Sequence, residues 1–376
     1  MPPPSVRQAD WNDLDAILDL LAEYDVPRGF FEPRYVRDPT YQPYQSWVIE
    51  EARVLVAHLR VFDRAIRVHG TVLRVAGIGN VITARASRGR GYASLLLRTV
   101  LETLPGEGYL YSLLGAARPD LYRRYGWVPI EEQVVDVTLR TSASWPGRID
   151  MFQDADLPEV MALYTASNAG RTGPTVRTLD YWRGQLGWLH EDRDGFLVAR
   201  TPTGGLAGYV RSRRRPGEPT EILELGASAD HPEPARPLLG RLAQRLGARL
   251  EARVPGSLFA IFRPEEPALR IDTGLMGRVL DVDALVGALR PLWEARLLAV
   301  GLAGAELALQ TSAGERRVQV GAAGLPVVRV SEAQLAHLLF HGADASAGWL
   351  PPGAEAELLR ALFPPQDFVM WPADDF

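Results

Sequence analysis

The chain has 376 residues and a formal charge of −5, with 47% hydrophobic and 23% charged residues, the composition of an ordinary folded protein of two or three domains. It contains no cysteine, and all 41 basic residues are arginine. That excludes disulfides, thiolate nucleophiles, iron–sulfur clusters, cysteine-bearing zinc sites, lysine Schiff bases and the phosphate lysine of a Walker loop.

Taken in chain order, Trp11, Leu14, Ile17, Leu18 and Leu21 recur three and four apart behind Asp10, which predicts an amphipathic helix over 10–23 capped by Asp10. A loop rich in proline and aromatic residues runs over 25–44. Strand-like segments follow at 46–50, 54–62, 66–68 and 72–83. A helix over 91–104 carries Ala93, Leu96, Leu97, Val100, Leu101 and Leu104 on one face and stops at Pro105-Gly106. A strand at 109–114, a short helix at 119–125 and a strand at 132–139 complete an α/β unit by about residue 140.

Residues 141–147 have linker composition, and from Arg148 the pattern starts over. Asp154, Asp156, Leu157, Val160, Met161 and Tyr164 repeat the texture of Asp10, Asp13, Leu14, Ile17 and Leu18. Strands at 195–200, 205–213 and 221–227, a helix at 234–246 and a strand at 257–262 follow, so the chain reads as a diverged duplication with a period of roughly 145 residues. Beyond 276 come a helix at 282–293, strands at 295–300, 305–310, 316–320 and 327–330, and helices at 332–340 and 355–363, a small α+β domain. The expected division is therefore 1–145, 146–275 and 276–376. The last ten residues, Asp367 to Phe376, include Phe368, Val369, Met370 and Trp371, a composition that predicts a docked end rather than a free one.

The sharpest local signal is Val81-Ile82-Thr83-Ala84-Arg85-Ala86-Ser87-Arg88-Gly89-Arg90-Gly91-Tyr92-Ala93, an apolar strand feeding an arginine- and glycine-rich turn that opens a helix. Glycines admit close backbone approach, and a helix N-terminus offers unpaired N–H groups and a positive dipole, so such a turn can cradle a pyrophosphate without lysine. Residue spacing alone is equally compatible with an arginine-rich surface turn. Gly77-Ile78-Gly79 lacks a third glycine and lies inside a strand pattern, which argues against a dinucleotide fingerprint. Arg211, Arg213, Arg214 and Arg215 precede Pro216-Gly217 and read as an exposed hairpin tip; with mild acidity overall, no nucleic-acid partner is expected. His337 and His341 are four apart, but Leu338, Leu339 and Phe340 stand between them, without the glutamate of a metalloprotease helix, and no metal is expected.

Arg88-x-x-Gly91-x-Ala93 after a strand resembles the acetyl-CoA pyrophosphate motif of the GCN5-related N-acetyltransferases, and Tyr122-Arg123-Arg124-Tyr125-Gly126-Trp127 resembles the aromatic segment that closes that fold. Two such halves, a sterol-carrier-like third domain and a terminal Phe resemble the Eis (enhanced intracellular survival) family of multi-acetylating aminoglycoside acetyltransferases across the whole chain. The resemblance implies tandem GNAT-like α/β folds followed by a sterol-carrier-like α+β domain. It implies that the backbone of Val81, Ile82 and Thr83 pairs with the pantetheine arm of acetyl-CoA. The phosphates would rest on Arg88, Gly89, Arg90, Gly91, Tyr92, Ala93 and Ser94. Tyr122 matches the general acid that protonates the departing thiolate, and the Phe376 carboxylate matches the general base. A tyrosine is protonated at neutral pH, and a desolvated carboxylate gains basicity, so both roles are chemically coherent.

The family's cationic substrates need acidic surroundings, for which Asp374, Asp375, Glu32 and Asp25 are the candidates. The second half has Ala229-Asp230-His231-Pro232-Glu233-Pro234-Ala235-Arg236 where the first has its cradle; prolines without N–H groups and acidic side chains argue that this half does not bind acetyl-CoA. The third domain would bring Phe376 back to the first. No run approaches the ~20 apolar residues of a bilayer span, and Met1-Pro2-Pro3-Pro4 leads straight into polar sequence, so a cytoplasmic protein without a membrane partner is expected. Family likeness adds a homo-oligomer, a hexamer. The expected activity is acetylation of a small-molecule amine, aminoglycoside-like or polyamine. The alternatives are a non-catalytic CoA-binding scaffold and a lipid-binding carrier.

Overall fold

The computed structural model describes residues 5–140, 143–188, 193–227, 233–322, 327–344 and 348–376. Contacts divide the chain into two compact units, one of residues 1–130, 274–366 and 376, the other of 131–273 and 367–375.

The first unit is built on a seven-stranded sheet. Its strands in chain order are β1 (Val6–Gln8), β2 (Ser46–Glu51), β3 (Val54–Val68), β4 (Thr71–Thr83), β5 (Tyr111–Gly115) and β6 (Val128–Pro129), and the segment Leu275–Val279 inserts between β5 and β6. The stretches 54–62 and 66–68 are one continuous strand, turned into β4 by His69 and Gly70, both at positive φ, as a two-residue hairpin demands. Helix α1 (Leu14–Leu21) buries Ile17, Leu18, Leu20 and Leu21. Asp10 is a cap as its position suggests, although it caps a single 3-10 turn leading into α1. The stretch expected to be loop contains helix α2 (Arg28–Val36), which buries only Phe31 and Tyr35 and carries Pro33 within it, so its apolar period is short and interrupted. Helix α3 (Tyr92–Thr103) crosses from β4 to a parallel β5, burying Tyr92, Leu96, Leu97 and Val100. Helix α4 (Pro119–Arg123) follows β5.

Two histidines are buried in this unit. The Nδ1–H of His58 donates to the Asn80 carbonyl at 3.0 Å, which leaves Nε2 to accept from the Ser46 hydroxyl at 3.1 Å; a carbonyl can only accept, so the ring is the neutral Nδ1 tautomer. The Nε2–H of His69 donates to the Leu338 carbonyl at 2.8 Å. Burial pulls both pKa values down to about 4. The unfolded chain, with histidines near 6.5, therefore binds protons that the folded chain refuses. Stability should fall as pH drops from about 6.5 towards 4, by about 2–3 kcal/mol per histidine at pH 4.5. Urea midpoints at pH 7 and 4.5, with His58→Gln flattening part of the dependence, check this; an unchanged midpoint would refute it.

The second unit repeats the topology. Arg148–Met151, Leu197–Arg200, Leu206–Arg213 and Thr220–Ala227 are antiparallel neighbours, the helix Ala235–Leu246 follows, and Arg249–Arg253 pairs parallel with Thr220–Ala227. The next strand in space is Glu132–Thr138, antiparallel to Arg249–Arg253 and flanked by Ala268–Asp272. Each sheet thus takes a strand from outside the sequence segment expected to form it: 132–138, read as closing the first half, lies in the second sheet, and 275–279 serves the first. The stretch 257–262, expected as a strand, is 3-10 turns. The helix Leu179–Trp188, with Tyr181, Trp182, Gln185 and Trp188 buried, has no counterpart in the sequence reading. Residues 141–142 of the expected linker and Ala229, Asp230, His231 and Pro232 lie outside the described residues.

Within the first unit, residues 282–363 add the helix Val282–Ala299, a three-stranded sheet ordered Gly314–Gly321, Gly304–Thr311, Val327–Ser331, and the helices Glu332–Phe340 and Ala354–Leu362. The stretch 295–300, expected as a strand, is mostly the end of the first of these helices. Among the described residues no helix is long and apolar enough to cross a membrane, and no cluster of three or more His, Cys, Asp or Glu is placed to hold a metal.

Candidate active site

Strands β4 and β5 pair only over Val75–Gly77 and Tyr111–Leu113. Beyond Gly77 the edge of β4 that faces β5 is free. Opposite it, Ala84 donates to Val56 at 2.8 Å, so even-numbered residues here face β3, and by alternation the amide groups of Val81 and Thr83 point to the free edge. A register shift opposite His58 to Arg60, with Asn80 at positive φ, bends β4 at this point. A cavity of about 650 Å³ opens there.

Three groups of residues line it. Val81, Ile82 and Thr83 supply the strand edge; Arg88, Gly89, Gly91, Tyr92, Ala93 and Ser94 supply the turn and helix start; Tyr122 and Phe376 complete the wall. Gly91 stands at the N-cap of α3 with φ 82°, and no side chain caps the helix. The first N–H groups of α3 therefore have no side-chain cap, and with the positive end of the helix dipole they form a cradle suited to an anion. Arg90 is the exception among the expected cradle residues. Its guanidinium holds Glu51 through two bonds, at 2.6 and 2.7 Å, and it does not line the cavity. The Tyr92 hydroxyl donates to the same carboxylate, and this bond, with Arg90, holds Glu51 below the usual carboxylate range.

Tyr122 packs edge-on against Trp127, ring centroids 6.1 Å apart, and burial raises its pKa above the ordinary tyrosine value. Its hydroxyl has no hydrogen-bond partner among the described residues, which suits a group that must donate to a ligand atom. A second phenol shares the cavity: the Tyr24 hydroxyl donates to the Val81 carbonyl at 2.6 Å. Nothing in the spacing around Tyr24 distinguishes it from the other aromatics of its segment.

Phe376 rests on β4. A Cβ built on Gly77 would overlap the Phe376 ring, and one on Gly79 would lie 3.2 Å from the Phe376 carboxyl carbon and 2.9 Å from the Phe62 ring. The two glycines set aside as a failed dinucleotide motif are thus the floor of the slot that seats the last residue. Phe62 faces Phe376 at 6.0 Å. The Phe62 ring also contacts the guanidinium of Arg60 at 4.0 Å, which is fully buried, paired to Asp38 at 2.7 Å and also facing Tyr35 and Tyr41. Arg64 shares Asp38 at 3.1 Å.

The four acidic candidates do not line the cavity. Asp25 pairs with Arg85 and is exposed; Glu32 is exposed on α2. Asp374 is buried in the second unit, where Arg177 donates to it at 2.7 and 2.9 Å, Gln185 at 2.9 Å and Tyr181 at 3.2 Å. Glu224 shares Arg177. A carboxylate so completely engaged cannot also recruit a substrate cation. Asp375 pairs with Arg253 at 2.8 Å. The segment 367–375 is held within the second unit, through Thr172 and Val369, Asn168 and Trp371, and Gln185 and Ala373. Phe376 itself belongs to the first unit, as do residues 274–366, with 367–375 between them in the second.

Residues 5–130 match the model of the acetyltransferase (GNAT) domain family. No curated protein matches the sequence. The fold is similar to that of a probable N-acyltransferase from Enterococcus faecalis, with TM-score 0.71 and 16% identity over 97% of each chain. It is similar to a GCN5-related N-acetyltransferase from Kribbella flavida, with TM-score 0.70 and 19% identity over 99% of each chain. Eis1 from Mycobacterium abscessus matches with TM-score 0.66 and 17% identity, covering 99% of this chain and all of the other (100%). At such identities the likeness is one of fold, and it extends over nearly the full chain.

Proposed function

We propose, from the match of residues 5–130 to the acetyltransferase (GNAT) domain family, that the chain moves an acetyl group from acetyl-CoA to a primary amine by direct attack. The observation that supports this reading is the meeting, in one cavity, of a free strand edge, an uncapped helix start, Tyr122 and Phe376. The strand edge at Val81 and Thr83 suits the amides of the pantetheine arm, and the start of α3 suits the pyrophosphate. The amine nitrogen attacks the thioester carbon, a C–N bond forms and the C–S bond breaks. The proton lost by the amine goes to the Phe376 carboxylate, and the Tyr122 proton goes to the CoA thiolate. With neither cysteine nor lysine in the sequence, an acyl-enzyme on a thiol or side-chain amine is closed, which favours a ternary complex.

The acceptor we favour is a polyamine or an aminoglycoside-like amine, as the resemblance of the sequence to the Eis family implies, acting in a homo-oligomer. The test is release of free CoA thiol from acetyl-CoA across a panel of aminoglycosides, polyamines, amino acids and lysine peptides. Multiply charged amines should turn over fastest. Absence of thiol release with every amine, in protein that binds acetyl-CoA, would replace this reading with a CoA-binding scaffold.

A further inference from the structure

A second cavity, of about 600 Å³, lies in the first unit and belongs to none of the roles above. It has no lining residue in common with the first, but the two draw on the same two elements. On α3, Ser94 lines the first cavity and Arg98 the second; four residues apart, they share a helix face about 6 Å apart along the axis. At the end of α4, Tyr122 lines the first, while Arg123 and the following Arg124 line the second. The remaining wall is Arg278, from the strand Leu275–Val279, with Ser312 beside it.

The charge is what sets this cavity apart. Four arginines line it, against one carboxylate, Glu102, in a chain whose net charge is −5. Arg123 pairs with Asp120; among the described residues Arg98, Arg124 and Arg278 form no ion pair. Arg278 is half-buried over Trp127 and donates one Nη to the Tyr125 carbonyl. Its Nε is buried without a hydrogen-bond partner. The one acid near it, Glu332, spends its carboxylate on the amides of Val279 and Ser312. A guanidinium cannot shed its charge, so convergent unpaired arginines are relieved by an anion, and their planar donor forks match phosphate oxygens.

We propose that this cavity is a binding site for a phosphate monoester. Its position, continuing from the start of α3, makes the phosphate on the ribose of the acetyl-CoA nucleotide the first source; a separate phosphate-bearing effector is the second. The first source rests on the acetyl-CoA reading above, whereas the site itself does not.

Calorimetric titration of the full chain and of an Arg98→Gln/Arg124→Gln double variant tests it, using acetyl-CoA, 3′-dephospho-acetyl-CoA and inorganic phosphate. Both positions are exposed and can be changed without opening the core, whereas Arg278 holds the Tyr125 carbonyl. The double variant should bind acetyl-CoA about tenfold more weakly and bind the dephospho donor as the parent does. If both donors bind the variant normally, but the parent alone takes up inorganic phosphate beside saturating acetyl-CoA, the site stands and serves the second source. Equal binding of all three ligands by parent and variant would overturn it. If the parent binds neither donor, the acetyl-CoA reading fails, and the inorganic phosphate titration decides alone: uptake lost in the variant upholds the site, and no uptake by the parent overturns it.

Discussion

Replacing Gly77 with valine is expected to lower turnover by about 100–1,000-fold while changing acetyl-CoA affinity less than about threefold. The reasoning is steric and local. A Cβ at Gly77 would occupy the place of the Phe376 ring, and one at Gly79 would press on the Phe62 ring and the Phe376 carboxyl carbon. Protein interiors are close-packed, so the ring must leave rather than compress. If the Phe376 carboxylate is the base, its displacement removes one acid–base partner, worth about 10²–10⁴ in rate. The expected pattern, a fall in kcat with little change in acetyl-CoA binding, is that of an interaction made only in the transition state. Gly77 faces the slot rather than the turn at Arg88 to Ser94, so the donor site should stay intact. Steady-state kinetics with calorimetric binding check it, and a one-residue extension after Phe376 should reproduce the loss without touching β4. Parent-like turnover in both variants would remove Phe376 from the mechanism; loss in Gly77→Val alone would assign the damage to β4.

Tyr122→Phe should lower kcat by about 10²–10³ with acetyl-CoA binding retained, the size of a lost general acid. The change deletes only an oxygen with no hydrogen-bond partner among the described residues, and it keeps the ring on Trp127, so stability should move by less than about 1 kcal/mol. Its pH profile carries a sign. Burial raises the pKa of Tyr122, so the proton stays in place beyond the pKa of about 10 of a free tyrosine, and loss of the acid cannot produce a decline between pH 8 and 10. A parent enzyme whose kcat falls over that range with a single ionisation that Tyr122→Phe abolishes would contradict the burial argument. Tyr24 supplies the control. It shares the cavity but its proton is committed to the Val81 carbonyl, so Tyr24→Phe should leave most of kcat; if it costs more than Tyr122→Phe, the acid has been misassigned.

The turn that opens α3 was legible because its parts are contiguous. Glycine at a positive-φ N-cap, an uncapped helix start and a preceding strand all occur within thirteen residues, and each leaves a compositional mark. Tyr122 was legible for the same reason, within the short segment that ends at Trp127. Arg90 was over-read: spacing makes it a neighbour of Arg88, but Glu51, 39 residues earlier, claims its guanidinium. Asp374 was over-read more severely. Composition near the end of the chain suggested an acidic lure, and only the fold shows Arg177, Gln185 and Tyr181 closing over it. Gly77 and Gly79 were under-read, because a glycine tells that something comes close without telling what.

By itself the sequence determined the classes of chemistry that are closed, the α/β alternation, the duplicated texture and the turn that opens α3, all properties fixed by residues within a turn or two of one another. The tertiary structure alone decided that 132–138 joins the second sheet and 275–279 the first, since an alternating strand carries no record of which edge it will pair with. It also decided that Phe376 lies on Gly77 and Gly79, and that Arg98, Arg124 and Arg278 converge on one cavity. Those meetings join residues far apart in the chain, and their cause is the packing of apolar faces, which brings polar groups together as a consequence rather than through any pattern of their own.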